Sequence, residues 1–282
     1  MGEGLRARLL GFHDRQESLD LLSAHADDNL VLIDLVERLG SVPPGGDLVP
    51  QIQGVFDRHR LVGVAALRPS IVLSKGMSDD VLEALMPFVR RVPSGLIKCE
   101  RSGVDRVWRT LRTLGREALI DRVEIAYRLS PDRIVAVAPT LPGFARPARL
   151  EDLDDLVYAA RASLWEEDRP DPADGDPVGF RRWVQGRVGR ARLVSDRGRT
   201  VFVAYADVRR PQGWLVQGVY TWPEARRRGF ARRGMDSVIR EAFAMGATHV
   251  QLAVIEGNDP ASALYRNLGF EPFAELRTIL FR

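Results

Sequence analysis

Between Leu19 and Leu39, Leu21, Leu22, Leu30, Leu32, Ile33, Leu35 and Val36 recur at the spacing that lines one helix face. Asp27-Asp28-Asn29 places a cap inside this stretch, so a second helix starts there. Ser41 to Gly46, rich in proline and glycine, breaks the pattern as a loop. Ile52 to Phe56 and Leu61 to Leu67 then read as a hairpin around Asp57-Arg58-His59-Arg60. Ile71 to Ser74 and Gly95 to Glu100 are short strands, with a helix over Val81 to Val89 between them. Val104 to Leu114 forms another helix, stopped by Gly115, and Ile134 to Ala138 is a closing strand. Pro139 to Pro147 carries further breakers at Pro142 and Gly143 and is read as a linker.

The same succession returns after the linker. A helix is expected to about Trp165, a loop over Asp168 to Gly179, and a helix over Phe180 to Val188. Three strands follow, at 191–195, 200–207 and 214–221, joined by tight turns. Met235, Val238, Ile239, Ala242 and Phe243 share one face of a helix over Ala231 to Met245. Thr248 to Ile255 alternates as a strand. Asp259-Pro260 opens a helix with aspartate as cap, Leu268-Gly269 ends it, and Phe270 to Phe281 supplies two short final strands. The halves, 1–143 and 144–282, therefore look like a diverged repeat, and each last helix ends in Leu-Gly. The order of elements argues an α/β or α+β fold.

Composition narrows the function classes. A net charge of +3 creates no strong field for nucleic acid or membrane. No apolar run is long enough to span a bilayer. His13, His25, His59 and His249 lie far apart without cysteine or HExxH partners, so no metal site is expected. Cys99 is the single cysteine and no signal peptide is visible, so the expected compartment is the cytoplasm.

The chemistry centres on Val219-Tyr220-Thr221-Trp222-Pro223-Glu224-Ala225-Arg226-Arg227-Arg228-Gly229-Phe230-Ala231. It reads as a strand end, an arginine-rich loop and a helix start, an order that aims unpaired N–H groups and a favourable dipole at an anion. Gly229 allows an unusual backbone angle and a close approach, and a pyrophosphate fits there.

Two signatures give the second half a resemblance to the GNAT superfamily of acyl-CoA-dependent N-acetyltransferases. One is R-x-x-G-x-A, from Arg226 to Ala231. The other is N-x-x-A-x-x-L-Y followed by L-G-F: Asn258, Ala261, Leu264, Tyr265, Leu268, Gly269 and Phe270. The whole chain resembles the tandem group of that superfamily, whose N-terminal copy is degraded. The resemblance implies two mixed, mostly antiparallel twisted sheets flanked by helices, the second with splayed parallel central strands. It implies acetyl-CoA as co-substrate, held by backbone at Val219, Tyr220 and Thr221. The diphosphate would be held at the loop by Arg226 and by backbone N–H groups of Arg227, Arg228, Gly229, Phe230, Ala231 and Arg232. Asn258 would bond the pantetheine arm.

In that chemistry a primary amine, on a small molecule or a protein, attacks the thioester directly. The N–H of Tyr220 would receive the developing oxyanion and Tyr265 would protonate the leaving thiolate. Some members place a glutamate base on the strand five residues before the asparagine, where this chain has Ala253. Glu256, Glu166 and Glu167 are then the candidates. The alternative is a non-catalytic acyl-CoA sensor. In the first half, Val104 and Leu111 stand where asparagine and tyrosine would, and Lys75-Gly76-Met77 lacks the loop pattern, so no productive acyl-CoA site is expected there. Four aspartates at 168, 171, 174 and 176 hint at a cationic acceptor, while Trp165, Trp183 and Trp222 read as packing residues.

Overall fold

A computed structural model describes residues 4–41 and 49–282; most of the loop expected at Ser41 to Gly46 lies outside them. Two compact units emerge, Met1–Ile125 with Ala274–Arg282, and Ala126–Phe273. The division thus falls before the stretch read as a linker, and the last nine residues of the chain, 274–282, belong with the first unit.

The first unit runs β1 (Arg6–Leu9), α1 (Arg15–Ser23), α2 (Ala26–Glu37), β2 (Gln51–Asp57), β3 (Arg60–Arg68), β4 (Ser70–Leu73), α3 (Asp79–Val89), β5 (Gly95–Glu100), α4 (Arg101–Thr113) and the start of β6 (Ala118–Leu129). Strands β1 to β4 pair antiparallel in chain order, and β4 pairs β5 in parallel. Side chains of β3 alternate between two cores. Val64 and Ala66 meet Leu22, Leu32 and Ile33 of α1 and α2. Ala65 and Leu67 join Leu85, Val107 and Trp108 of α3 and α4. A strand covered on both faces is apolar throughout, which is why Leu61 to Leu67 is readable as a strand.

The second unit repeats the order: β7 (Arg146–Pro147), α5 (Leu153–Glu166), α6 (Pro177–Gly186), β8 (Ala191–Asp196), β9 (Arg199–Arg210), β10 (Gly213–Thr221), α7 (Phe230–Ala244), β11 (Val250–Ile255), α8 (Asp259–Arg266) and the start of β12 (Glu271–Phe281). Strands β7 to β10 are antiparallel neighbours, and β10 pairs β11 in parallel. Leu156, Ala159, Phe180 and Val184 of α5 and α6 pack on Leu193, Val203, Tyr205 and Tyr220. Helix α7 carries Met235, Val238, Ile239 and Ala242 buried, and Gly234 lets it come close to β9. A Cβ there would stand 2.5 Å from the Phe202 ring.

Five elements differ from the sequence expectation, and the first is α2, which starts at Ala26 after His25, with Asp27 and Asp28 in its first turn rather than as its cap. The strand expected over Ile134 to Ala138 is irregular, and β6 takes the closing place instead. Its charges hid it: Glu124 is buried on β6 but answered by Lys98 Nζ at 2.5 Å and Arg122 Nε at 3.1 Å. Burial alone would raise that carboxyl, yet the two cations outweigh it and hold it at about 2. The two expected final strands are one strand, β12, whose residues 276–281 pair β5 in the first unit. Asn258, not Asp259, caps α8, its Oδ1 accepting from Ala261 N at 3.2 Å. The expected linker packs on the second unit: Gly143, at φ +81°, is so close to Val194 that a Cβ would lie 2.2 Å from its Cγ1.

Candidate active site

The pairing of β10 with β11 covers only Trp214 with Val250 and Leu215 with Gln251. From Val216 onward the two strands part, leaving backbone groups on the facing edges of a gap. A bulge lies between Gln217 and Tyr220, where β10 slips against β9. Gly218 sits in it at φ +56°, with the Tyr205 ring only 3.0 Å from where its Cβ would be. A bulge bends its strand and sharpens its twist, which turns the end of β10 away from β11.

The end of β10 leads into the loop singled out in the sequence. Val219 and Thr221 are half-buried and Tyr220 is buried. Arg227 and Gly229 both take the left-handed backbone conformation, at φ 62° and 86°. Gly229 is the N-cap of α7, with no side chain to cap the helix. A Cβ there would come 2.8 Å from Leu141 Cδ2. Amides turned by such left-handed residues form a concave anion nest, and the first N–H groups of α7 extend it. No acidic residue occupies the first turn of α7. Phe230 is buried under the turn, and Ala231 and Arg232 are half-buried. These features suit the diphosphate of an acyl-CoA, and a larger residue at 229 would fill the cradle.

The arginines divide their work. Arg226 is bound at two of its three nitrogens: Nη2 donates to both Glu166 oxygens at 2.6 and 2.8 Å, and Nε donates to the Thr221 carbonyl at 2.9 Å. It therefore ties the end of α5 to the end of β10. Arg228 pairs with Asp196 at 3.0 Å and lies 5.0 Å over the Phe230 ring. Arg233 lies 3.9 Å over Phe144. Leu141, Gly143 and Phe144 thus border the loop. Sequence reasoning passed over them because prolines and glycines dominated the stretch, although Leu141 and Phe144 were its apolar signal.

Helix α8 follows β11, so Asn258 and Tyr265 stand on the opposite lip from the loop. Asn258 is exposed, with its carbonyl oxygen engaged in capping. The Tyr265 ring is buried edge-on to Phe270 at 5.7 Å. Burial pushes its phenol well above the ordinary tyrosine range, so it stays protonated at working pH. Tyr220 is pushed up to about 12, first by burial and then by the Glu166 charge. Ala253 is half-buried on β11, and Glu256 is exposed just beyond its end.

Residues 150–270 match the family model described as the acetyltransferase (GNAT) family. That stretch carries the GNAT family pattern, and the whole chain has a fold like that of a tandem GNAT protein. A Drosophila protein solved by a structural genomics consortium superposes with a TM-score of 0.74 at 17% identity, over 98% of this chain and 99% of that one. A tandem GNAT protein from the clavulanic acid biosynthesis pathway gives 0.55 at 17% identity, over 98% and 97%. A GCN5-related N-acetyltransferase from Sphaerobacter thermophilus gives 0.60 at 16% identity, over 99% and 96%. Among curated proteins, a 4-hydroxy-tetrahydrodipicolinate reductase from Syntrophus aciditrophicus is 24% identical over 163 residues. The chain spans 61% of that relative's length. The GNAT match over residues 150–270 supports an acyltransferase, and acyl-CoA is the co-substrate of that family. No helix among the described residues is long and apolar enough to cross a membrane, and none of their His, Cys, Asp and Glu side chains cluster as a metal site.

Proposed function

We propose that the second unit transfers acetyl from acetyl-CoA to a primary amine by direct attack, with Tyr265 as general acid. The observation that carries this reading is the coincidence of two features on one strand: β10 parts from β11 after Leu215, and six residues later runs into a left-handed loop that opens α7. Bound there, an acyl-CoA supplies an activated thioester. Val219 to Thr221 bind its arm through backbone, as an added strand would be bound. The loop amides from Arg227 to Arg232 hold the diphosphate, with Arg227 and Arg228 as nearby cations. Arg226, already held by Glu166, acts by fixing the loop. Asn258 retains its amide N–H groups for the pantetheine arm while its oxygen caps α8.

The backbone N–H at Tyr220 is the proposed donor to the oxygen on which charge develops. Tyr265, fully protonated, passes its proton to the departing sulfur and is replenished by the proton that the attacking nitrogen must shed. Glu256, at the end of β11 on the same lip, is the proposed outlet through water for the first proton lost by the ammonium.

The test is release of free CoA during incubation with acetyl-CoA and a panel of amines. Steady release that falls on the order of 100-fold in Tyr265→Phe, with acetyl-CoA affinity kept, is the expected result. Binding without release by any amine supports the sensor instead, a reading that Ala253, in place of a strand glutamate, favours. The reductase activity named for the Syntrophus relative is not adopted. The described sheet is mostly antiparallel, without the doubly wound parallel crevice that binds dinucleotides.

A further inference from the structure

Helix α5 carries an open groove of about 410 Å³ on its outer side, bordered by the loop that follows the helix. The volume suits a small organic molecule. Tyr158, Ala162 and Glu166 follow one another four residues apart, so they form a single line along the helix. Both ends of that line touch the tail of β10. The Tyr158 ring stacks on Trp222 at 5.8 Å, and Trp222 meets Tyr220 edge-on at 5.2 Å. Glu166 holds Arg226, which holds the Thr221 carbonyl. Ala162 lies between these anchors and lines the groove together with Trp165. The groove therefore runs beside the strand end where the thioester is placed.

Two features describe its occupant. Tyr158, stacked on Trp222, is still 53% exposed, and Trp165 is 76% exposed, so both leave aromatic surface open along the groove. The charges in the wall are already answered within the protein. Arg161 pairs with Asp171, Asp154 pairs with Arg181 at 2.5 Å, and Arg169 is engaged with a neighbour. Asp176 is likewise occupied in capping α6, accepting from Gly179 N at 2.8 Å. Of the loop's aspartates only Asp171 lines the groove, and it is paired with Arg161, so the aromatic faces set the groove's preference.

We propose that the acceptor is a primary amine carrying an uncharged aromatic group, which lies in this groove against Trp165 and Tyr158 while the amine reaches the end of β10. This inference rests on the acetyl-transfer reading for its placement of the amine. The test compares phenethylamine with ethylamine in the CoA-release assay, in the wild-type chain and in Trp165→Ala and Trp165→Leu. Because Trp165 is exposed, both variants are expected to fold, which circular dichroism checks. Wild-type protein is expected to favour phenethylamine in kcat/KM on the order of ten-fold or more. Trp165→Ala removes most of that preference and Trp165→Leu part of it, while acetyl-CoA affinity is kept. Equal rates for the two amines, or a preference that survives in Trp165→Ala, overturn the proposal. If no amine is turned over, the acetyl-transfer reading falls by itself, and calorimetry with phenethylamine decides the groove. Binding to wild type that is lost in Trp165→Ala supports the site, and no binding to wild type overturns it.

Discussion

In the first unit, the helix after β4 is closed by its own chain. Ser78 caps α3, its hydroxyl accepting from Val81 N at 3.4 Å, and Asp79 and Asp80 fill the first turn. In the second unit, the equivalent helix after β10 has a left-handed glycine as N-cap, no capping side chain and no acidic residue in its first turn. Arginines take those places at 226, 227, 228, 232 and 233. One helix start supplies its own anions and the other waits for one. The repeat itself is intact around this difference. Arg8 forks onto Asp14 at 2.6 and 2.8 Å, and Arg146 forks onto Asp152 at 2.7 and 2.9 Å, with the same six-residue spacing. Each aspartate also accepts from a backbone N–H, of Gly11 at 2.8 Å and of Arg149 at 2.7 Å. The scaffold is retained in both copies, while the anion loop belongs to one.

The sharpest way to break this comparison is Gly229→Glu beside Ser78→Gly. Glutamate at 229 takes a left-handed conformation unfavourable to a side chain by about 1–2 kcal/mol. It also brings a carboxylate to the nest and a Cβ against Leu141. Acetyl-CoA affinity by calorimetry is expected to fall on the order of 100-fold, equivalent to about 2.7 kcal/mol. Ser78→Gly leaves that affinity unchanged. Loss of binding in Ser78→Gly, with Gly229→Glu intact, would assign the cofactor to the first unit.

A smaller effect, equal in both copies, is expected at the paired forks. Asp14→Ala and Asp152→Ala each remove charge-assisted bonds to a largely buried carboxylate, at a cost of about 2 kcal/mol. In each case the arginine hydrogen bond is the largest cause holding the carboxyl below its ordinary value. A depressed folded value means stability present above the unfolded value of about 3.9 and lost as pH falls below it. Acid unfolding followed by calorimetry is expected to shift to higher pH in both variants. A shift in only one would show that the two forks are not equivalent.

Much of this contrast was legible in the sequence. Gly229 and its arginines announced the loop, and the apolar periods gave most elements. What stayed hidden has physical causes. Glu124 on β6 reads as a surface charge until Lys98, on β5, joins Arg122 of its own strand in answering it. Arg226 reads as a phosphate ligand, but the fold gives its guanidinium to Glu166, sixty residues earlier. Trp165 reads as packing because no local signal separates an exposed tryptophan from a buried one. Long-range pairing and exposure are properties of the fold, and a residue's neighbours in sequence do not encode them.

The smallest expected effect sharpens the account of how β10 is bent. Tyr205 packs its ring against Gly218 in the bulge, with the Arg187 guanidinium 4.2 Å over its face. Its hydroxyl is buried without a hydrogen-bond partner among the described residues. If the bulge depends on the ring alone, Tyr205→Phe keeps it and removes only an unsatisfied polar atom, a gain of about 1 kcal/mol in stability. Burial pushes the Tyr205 phenol up to about 12. A folded value above the ordinary one of about 10 means that the unfolded chain loses its proton first as pH rises. The contribution of Tyr205 is therefore present below pH about 10 and declines toward 12. Tyr205→Phe is expected to unfold at a higher denaturant concentration at neutral pH, to lose less stability between those pH values, and to bind acetyl-CoA as the wild type does. A loss of acetyl-CoA affinity in this variant would mean that the hydroxyl, and not the ring, sets the course of β10 away from β11.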